Sequence, residues 1–164
     1  MTPNEYTQQA LRTLSDTFNV VDVLDYQMEY VLTEAIYNGG LLDELKKNIF
    51  AEKPIELLDT IMPHGDDRPF PWEQVEQDIT HGIIGIASEA SELVEHLYRA
   101  MEPEGSINTV AVSKEIGDVL WYVALLCNAI GVPMDQIMAE NIDKLRRRFP
   151  DKYEHSIAQT HDGT

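Results

Sequence analysis

Two apolar stretches between residues 79 and 131 each carry a pair of acids three positions apart. In both stretches the apolar residues recur every three or four positions, which is the period of an α-helix. They form one stripe in each stretch: Ile83, Ile86, Ala90, Leu93 and Leu97 in the first, and Ile116, Val119, Val123, Leu126 and Ile130 in the second. Glu89 and Glu92 border the first stripe, and Glu115 and Asp118 border the second. We therefore predict two amphipathic helices with acids beside their apolar faces.

The short segment around Glu104 and Gly105 favours antiparallel packing of these helices, which would bring all four carboxylates to one interface. Acids beside a buried interface are costly unless they are paired or bind a cation. Ligation by oxygen alone suits hard cations such as Mg²⁺ or Mn²⁺. The alternative is that the acids lie on the solvated faces of two ordinary amphipathic helices.

The remaining pattern is also helical. Residues 3–16 predict a first helix, and residues 18–77 predict an inserted helical region with a helix boundary at Gly39-Gly40. This region would add core or an oligomer interface, or alternatively cover a substrate. Residues 63–72 predict a loop rich in proline and charge.

The end of the chain predicts two sharply bounded helices. Asn108 suits the N-cap of a helix over residues 109–129, and Gly131 and Pro133 end it. The next helix, over residues 134–149, has one core stripe of Met138, Ile142, Leu145 and Phe149 and a neighbouring stripe of Ile137, Asn141, Lys144 and Arg148. The second stripe would offer an amide and two cations to the acids.

Three segments in this order, HGIIGIASEASELVEHL, KEIGDVLWYVALLCNAIGV and ENIDKLRRRFPDKY, resemble the MazG-like all-α nucleoside triphosphate pyrophosphohydrolases, particularly the short phage and bacterial forms. The resemblance covers residues 78–155. It implies an all-α helical bundle that hydrolyses a nucleoside triphosphate to the monophosphate and pyrophosphate with Mg²⁺, for which Mn²⁺ would substitute.

By position, the resemblance implies that the metal ligands are Glu89, Glu92, Glu115 and Asp118. Asn141 and Lys144 match an element that faces the phosphates, and Tyr153 follows the family pattern and would close over the site. Two places in the sequence depart from the family pattern. Ser88 stands where many relatives have a further acid, and Tyr98-Arg99 replaces two lysines, so that Arg99 would be the one cationic contact there.

The reaction requires charge neutralisation around phosphorus. We expect Lys144 to act on the leaving group, Arg148 to assist less directly, and Glu92 to take the proton of the attacking water. The expected function is control of a nucleotide pool, by a general housecleaning enzyme or by a dGTP-directed enzyme of the MazZ type. The alternatives are a non-catalytic acidic adaptor or DNA mimic, and a pyrophosphohydrolase for phosphoribosyl-nucleotides or alarmones.

Composition narrows the class of partner. The chain has 164 residues, 12 Lys and Arg against 29 Asp and Glu, and a formal net charge of -17. Such acidity disfavours polymeric nucleic acid and anionic membranes as partners. Cys127, the single cysteine, is expected to be a buried thiol. We predict one all-α domain over residues 1–164, a homodimer or homotetramer, in the cytoplasm, or in the host cytoplasm if a phage encodes it.

Overall fold

The computed structural model describes residues 1–14, 24–57 and 76–152. These residues contain five helices and no strand: α1 (Pro3–Leu11), α2 (Asp25–Ala51), α3 (Gln77–Ala100), α4 (Thr109–Ala129) and α5 (Met134–Arg148). The all-α class predicted from the sequence is confirmed. The chain divides into two compact units, one of Met1–Asp22 with Gly131–Thr164 and one of Val23–Ile130. That residues 1–164 form a single domain stays a prediction.

The larger unit is built around α3, which packs against both α2 and α4. Both neighbours run antiparallel to α3. Near its start, Gly82 lies against Leu126 late in α4, and near its end His96 lies beside Glu115 early in α4. The antiparallel packing of the two acid-bearing helices is therefore as expected.

The face of α3 that lies between its neighbours consists of small residues and one acid, namely Gly82, Gly85, Ser88 and Glu89. The sequence predicted instead that the stripe containing Ile83 and Leu97 would be buried, but these residues are 55% and 45% exposed. The prediction was wrong because small residues let two helices approach α3 closely: the Tyr122 ring of α4 fills the space above Gly85. The apolar stripe is left partly uncovered in the single chain.

The helix boundary predicted at Gly39-Gly40 is also wrong, because α2 continues through both glycines to Ala51. Gly39 lies where α2 crosses α3, and a Cβ atom there would lie 1.9 Å from the Cβ of Ser91. The glycine thus serves close helix packing. Gly40, by contrast, has nothing within 4 Å of such a Cβ position.

The smaller unit is described by α1 and α5. A capping box between Thr2 and Glu5 starts α1, which ends at Leu11, before the predicted end at residue 16. The hydroxyl of Tyr6 donates to Asn141 at 3.1 Å, and Arg12 donates to the backbone carbonyls after α5. Ile142 and Phe149 are buried, which confirms two positions of the predicted core stripe.

The bounds of α4 and α5 follow the sequence signals closely. The side chain of Asn108 accepts from the backbone N–H groups of Val110 and Ala111, and α4 ends at Ala129 as predicted. The loop predicted over residues 63–72 lies outside the described residues. Within the described part, no single helix is long and apolar enough to cross a membrane, although α4 and α5 counted together pass that test.

Candidate metal centre

Three of the four predicted metal ligands come together between α3 and α4. Glu89 of α3 and Glu115 and Asp118 of α4 each offer a carboxylate oxygen, and these oxygens lie within 4.8 Å of one another. Adjacent ligands of a six-coordinate Mg²⁺ or Mn²⁺ are separated by about 3–4 Å, since each lies about 2.1 Å from the ion. Small side-chain adjustments therefore suffice, and the residues fit a hard divalent cation.

The fourth predicted ligand, Glu92, belongs to a second group with Asp43 of α2 and Glu89. Burial, followed by the charges of Glu89, Glu115 and Asp43, raises the pKa of Glu92. Within the part of the chain that is described, Glu92 forms no hydrogen bond or ion pair. Glu92 is thus an acid at the edge of the Glu89–Glu115–Asp118 group with its proton-accepting oxygens uncommitted.

Glu89 belongs to both acid groups and is itself buried. Its charge is matched by Lys46 of α2, whose Nζ lies 2.6 Å from Oε1 of Glu89. Although burial opposes it, hydrogen bonding to Glu89 and Asp43 raises the pKa of Lys46 above its usual range. Similarly, hydrogen bonds from Lys47 and Lys46 overcome the effect of burial and lower the pKa of Asp43. Lys46 and Asp43 therefore both carry their charge at neutral pH.

Lys46 and Asp43 were both missed by the sequence analysis. They lie on α2, far in sequence from the acid motifs, and on a helix whose pattern indicated only packing. One signal was present: Asp43, Lys46 and Lys47 have the three- and four-residue spacing of charged pairs on one helical face. That spacing does not distinguish a solvated face from a buried one.

The two histidines of α3 have different surroundings. Nε2 of His96 lies 3.5 Å from Oε1 of Glu115, so His96 is placed to orient a member of the acid group. His81 stacks on Phe50 at 3.8 Å between ring centroids and meets Trp121 and Tyr122 edge-on. Burial and the nearby Lys46 lower its pKa. His81 is thus part of an aromatic cluster.

A cleft of about 340 Å³ opens beside the acid group and is lined by Glu89, Asp118, Trp121 and Tyr122. Asp118 is exposed and Glu115 half-buried, so the group is reached from solvent. A second cleft of about 360 Å³ is lined by Arg99 together with Tyr37, Tyr98 and others. Arg99 forms an ion pair with Glu95. Among the described residues, neither of the two belongs to the acid groups.

The other predicted phosphate-binding residues lie in the smaller unit, on α5. Asn141 accepts the hydrogen bond from Tyr6, Lys144 is exposed, and the guanidinium of Arg148 lies 5.2 Å from the ring centroid of Phe149. Their approach to the acid group stays a prediction. Tyr153 lies outside the described residues.

Comparison with known proteins agrees with this geometry. Residues 77–153, a little less than half of the chain, match the MazG nucleotide pyrophosphohydrolase domain. The match contains α3, α4 and α5. The chain is also similar to the Gene 37 protein of Mycobacterium phage L5, with 34% identity over 73 residues, 43% of this chain and 62% of that protein. It thus spans about three fifths of that relative's length, and no solved structure matches it.

The family supports two general statements. MazG domains are nucleotide pyrophosphohydrolases, and such hydrolases generally depend on a divalent metal. Both statements agree with the carboxylate group on α3 and α4, which lies within the matched residues. The region before residue 77, including α2 with Asp43 and Lys46, lies outside the match.

Proposed function

We propose that this chain is a nucleoside triphosphate pyrophosphohydrolase that cleaves a ribo- or deoxyribonucleoside triphosphate to the monophosphate and pyrophosphate with Mg²⁺ or Mn²⁺. One observation carries the proposal: within the MazG domain, Glu89, Glu115 and Asp118 offer carboxylate oxygens within 4.8 Å of one another beside an open cleft. An acidic site needs a cation to accept a polyanionic nucleotide, and this group is suited to hold one.

Glu89, Glu115 and Asp118 would hold the cation, with His96 orienting Glu115. When bound, a divalent cation supplies neutralisation of the phosphate oxygens and lowers the pKa of a coordinated water. Glu92 receives the proton of the attacking water, because its oxygens are uncommitted and its raised pKa makes it a better proton acceptor near neutral pH.

From the resemblance we expect Lys144 to neutralise charge on the departing pyrophosphate, Asn141 and Arg148 to bind phosphate oxygens, and Tyr153 to close over the substrate. Support for these roles comes from their place in the matched domain for residues up to 153 and from their donor chemistry. As the resemblance implies, Arg99 would be the cationic contact to the nucleotide from α3.

The similarity to a phage protein is consistent with a phage origin. A nucleoside triphosphate pyrophosphohydrolase in that setting would shape the nucleotide pool of the infected cell, and dGTP is one candidate substrate. A homodimer or homotetramer is supported by the apolar side chains that the single chain leaves uncovered. Val110, Leu120 and Trp121 of α4 are 67%, 53% and 55% exposed. Closed symmetric association is the usual way to cover such surface.

The test is a panel of ribo- and deoxyribonucleoside triphosphates, including dGTP, with Mg²⁺ and Mn²⁺ each present and products separated by chromatography. Equal amounts of monophosphate and pyrophosphate are expected. Asp118→Asn should abolish turnover, whereas Glu34→Gln, at an exposed acid outside both groups, should preserve it. No pyrophosphate from any nucleotide would refute the proposal and favour the acidic adaptor.

A further inference from the structure

Lys46 is a basic side chain buried against the acid groups, and only 6% of it is exposed. It lies on α2, outside the residues that match the MazG domain. Burying an ammonium is costly unless it is paired and hydrogen-bonded. Its position therefore requires the partners that surround it.

The contacts of Lys46 satisfy all three of its N–H donors. Nζ lies 2.6 Å from Glu89 Oε1, 2.8 Å from Ser88 Oγ and 3.1 Å from Asp43 Oδ1. Ser88 is wholly buried, and the Tyr122 ring centroid lies 5.0 Å from Nζ. An ammonium group offers three donors and no acceptor. Three oxygen atoms therefore surround the ammonium of Lys46, one for each of its N–H groups.

This ammonium lies on one side of Glu89. It contacts two of the three carboxylates in the Asp43–Glu89–Glu92 group. Among the described residues, no hydrogen bond or ion pair joins it to Glu115 or Asp118. The two acid groups share Glu89, but one of them already contains a positive charge.

We propose that Lys46 is a positioning residue that occupies the cation position of the Asp43–Glu89–Glu92 group and thereby limits the nucleotide-free chain to one divalent cation, at Glu89, Glu115 and Asp118. Its hydrogen bond also fixes the carboxylate of Glu89 for that ion. The consequence for catalysis rests on the proposed function, whereas the number of bound ions does not.

The physical reason is repulsion between like charges at short range. A divalent ion in the second group would lie within about 5 Å of the ammonium, where repulsion is strong in a partly buried site. Without the ammonium, three carboxylates would face one another and attract a cation instead. Among the described residues Lys47 pairs with Asp43 alone, and it is about half exposed, so it offers a matched control on the same helix.

The experiment is isothermal titration of the full chain with Mn²⁺ in the absence of nucleotide. The wild type and Lys47→Met should each bind one ion per chain. Lys46→Met, which removes the ammonium and keeps an unbranched side chain one atom shorter, should bind two, with the first ion bound at least about tenfold more tightly. Two ions in the wild type, or one ion with unchanged affinity in Lys46→Met, would overturn the proposal, as would no binding to the wild type.

A second comparison keeps Lys46 intact in case its replacement prevents folding. Asp43→Asn should change the Mn²⁺ dissociation constant by less than about threefold, because Asp43 faces the lysines. Asp118→Asn should weaken binding at least about a hundredfold. Equal losses in the two variants would make Asp43 a ligand and overturn the proposal. Failure of the nucleotide panel with these ion counts intact would instead refute only the proposed function.

Discussion

The close crossing of α2 and α3 makes a sharp prediction about two neighbouring glycines. In Gly39→Ala the new Cβ would lie 1.8 Å from Oγ and 1.9 Å from Cβ of Ser91. Rotation of the serine hydroxyl relieves the first contact but not the second, because Cβ is fixed to the backbone. The helices must therefore move apart. In Gly40→Ala the new Cβ meets nothing within 4 Å.

The expected magnitudes follow from this difference. Replacing a helical glycine with alanine favours the helix by about 1 kcal/mol, and Gly40→Ala should gain that amount. At Gly39 the same gain is opposed by overpacking, which costs about 1–3 kcal/mol and more where backbone must shift. Because both variants share the helix gain, they should differ by the overpacking cost alone, about 1–3 kcal/mol. For a chain of this size that is a difference in Tm of roughly 2–12 °C.

Thermal unfolding followed by circular dichroism, with a chelator present, measures this difference for the two variants side by side. The same separation of helices would draw Lys46 of α2 away from Glu89 of α3, so Gly39→Ala should also alter Mn²⁺ binding while Gly40→Ala does not. Equal melting temperatures for the two alanine variants would refute the close crossing. They would also restore the interpretation of the double glycine as a helix boundary.

Three further predictions concern charge and assembly. Glu92→Gln should stabilise the metal-free protein by up to about 0.5 kcal/mol near neutral pH, after screening by solvent. Because the folded-state pKa of Glu92 is raised, its penalty is present above that pKa and disappears as pH falls. Urea unfolding should therefore show the variant and the wild type converging at about pH 4, and a variant less stable at neutral pH would contradict this. Mn²⁺ at a hundred times its Kd should stabilise the wild type by about 2.7 kcal/mol, less as pH falls and the ligands protonate, whereas an unchanged melting curve would contradict the metal site. Light scattering should give two or four times the 18.6 kDa of one chain, and a mass of one chain would refute self-association.

Local signals made much of the fold predictable from the sequence. The N-cap at Asn108 and the helix-ending Gly131 and Pro133 are short-range features, and α4 has the bounds they indicate. The acid group was predictable for a related reason. Residues three apart lie on one helical face, so two such pairs on antiparallel neighbours must meet if those faces pack together.

The sequence predictions that were wrong depend on contacts between helices, which no local sequence pattern encodes. A glycine that ends a helix and a glycine that allows a close crossing have the same sequence context, and Ser91 decides between them only in the folded chain. Which face of α3 is buried is likewise decided by contacts with the neighbouring helices. Its small residues accommodate Tyr122 and α2, so the apolar stripe that periodicity marks as core is partly exposed.

The role of α2 shows why the candidate site could be only partly predicted. The MazG match begins at residue 77, and its acid motifs account for the carboxylates of α3 and α4. Yet Glu89 is buried, and burying a carboxylate as a charged group is costly unless it is paired and hydrogen-bonded, also before any metal binds. Lys46 supplies that charge from a helix outside the match. Lys46 therefore balances the charge of Glu89 in the metal-free chain. Its own sequence context, with Asp43 and Lys47 on the same face, is that of an ordinary solvated helix.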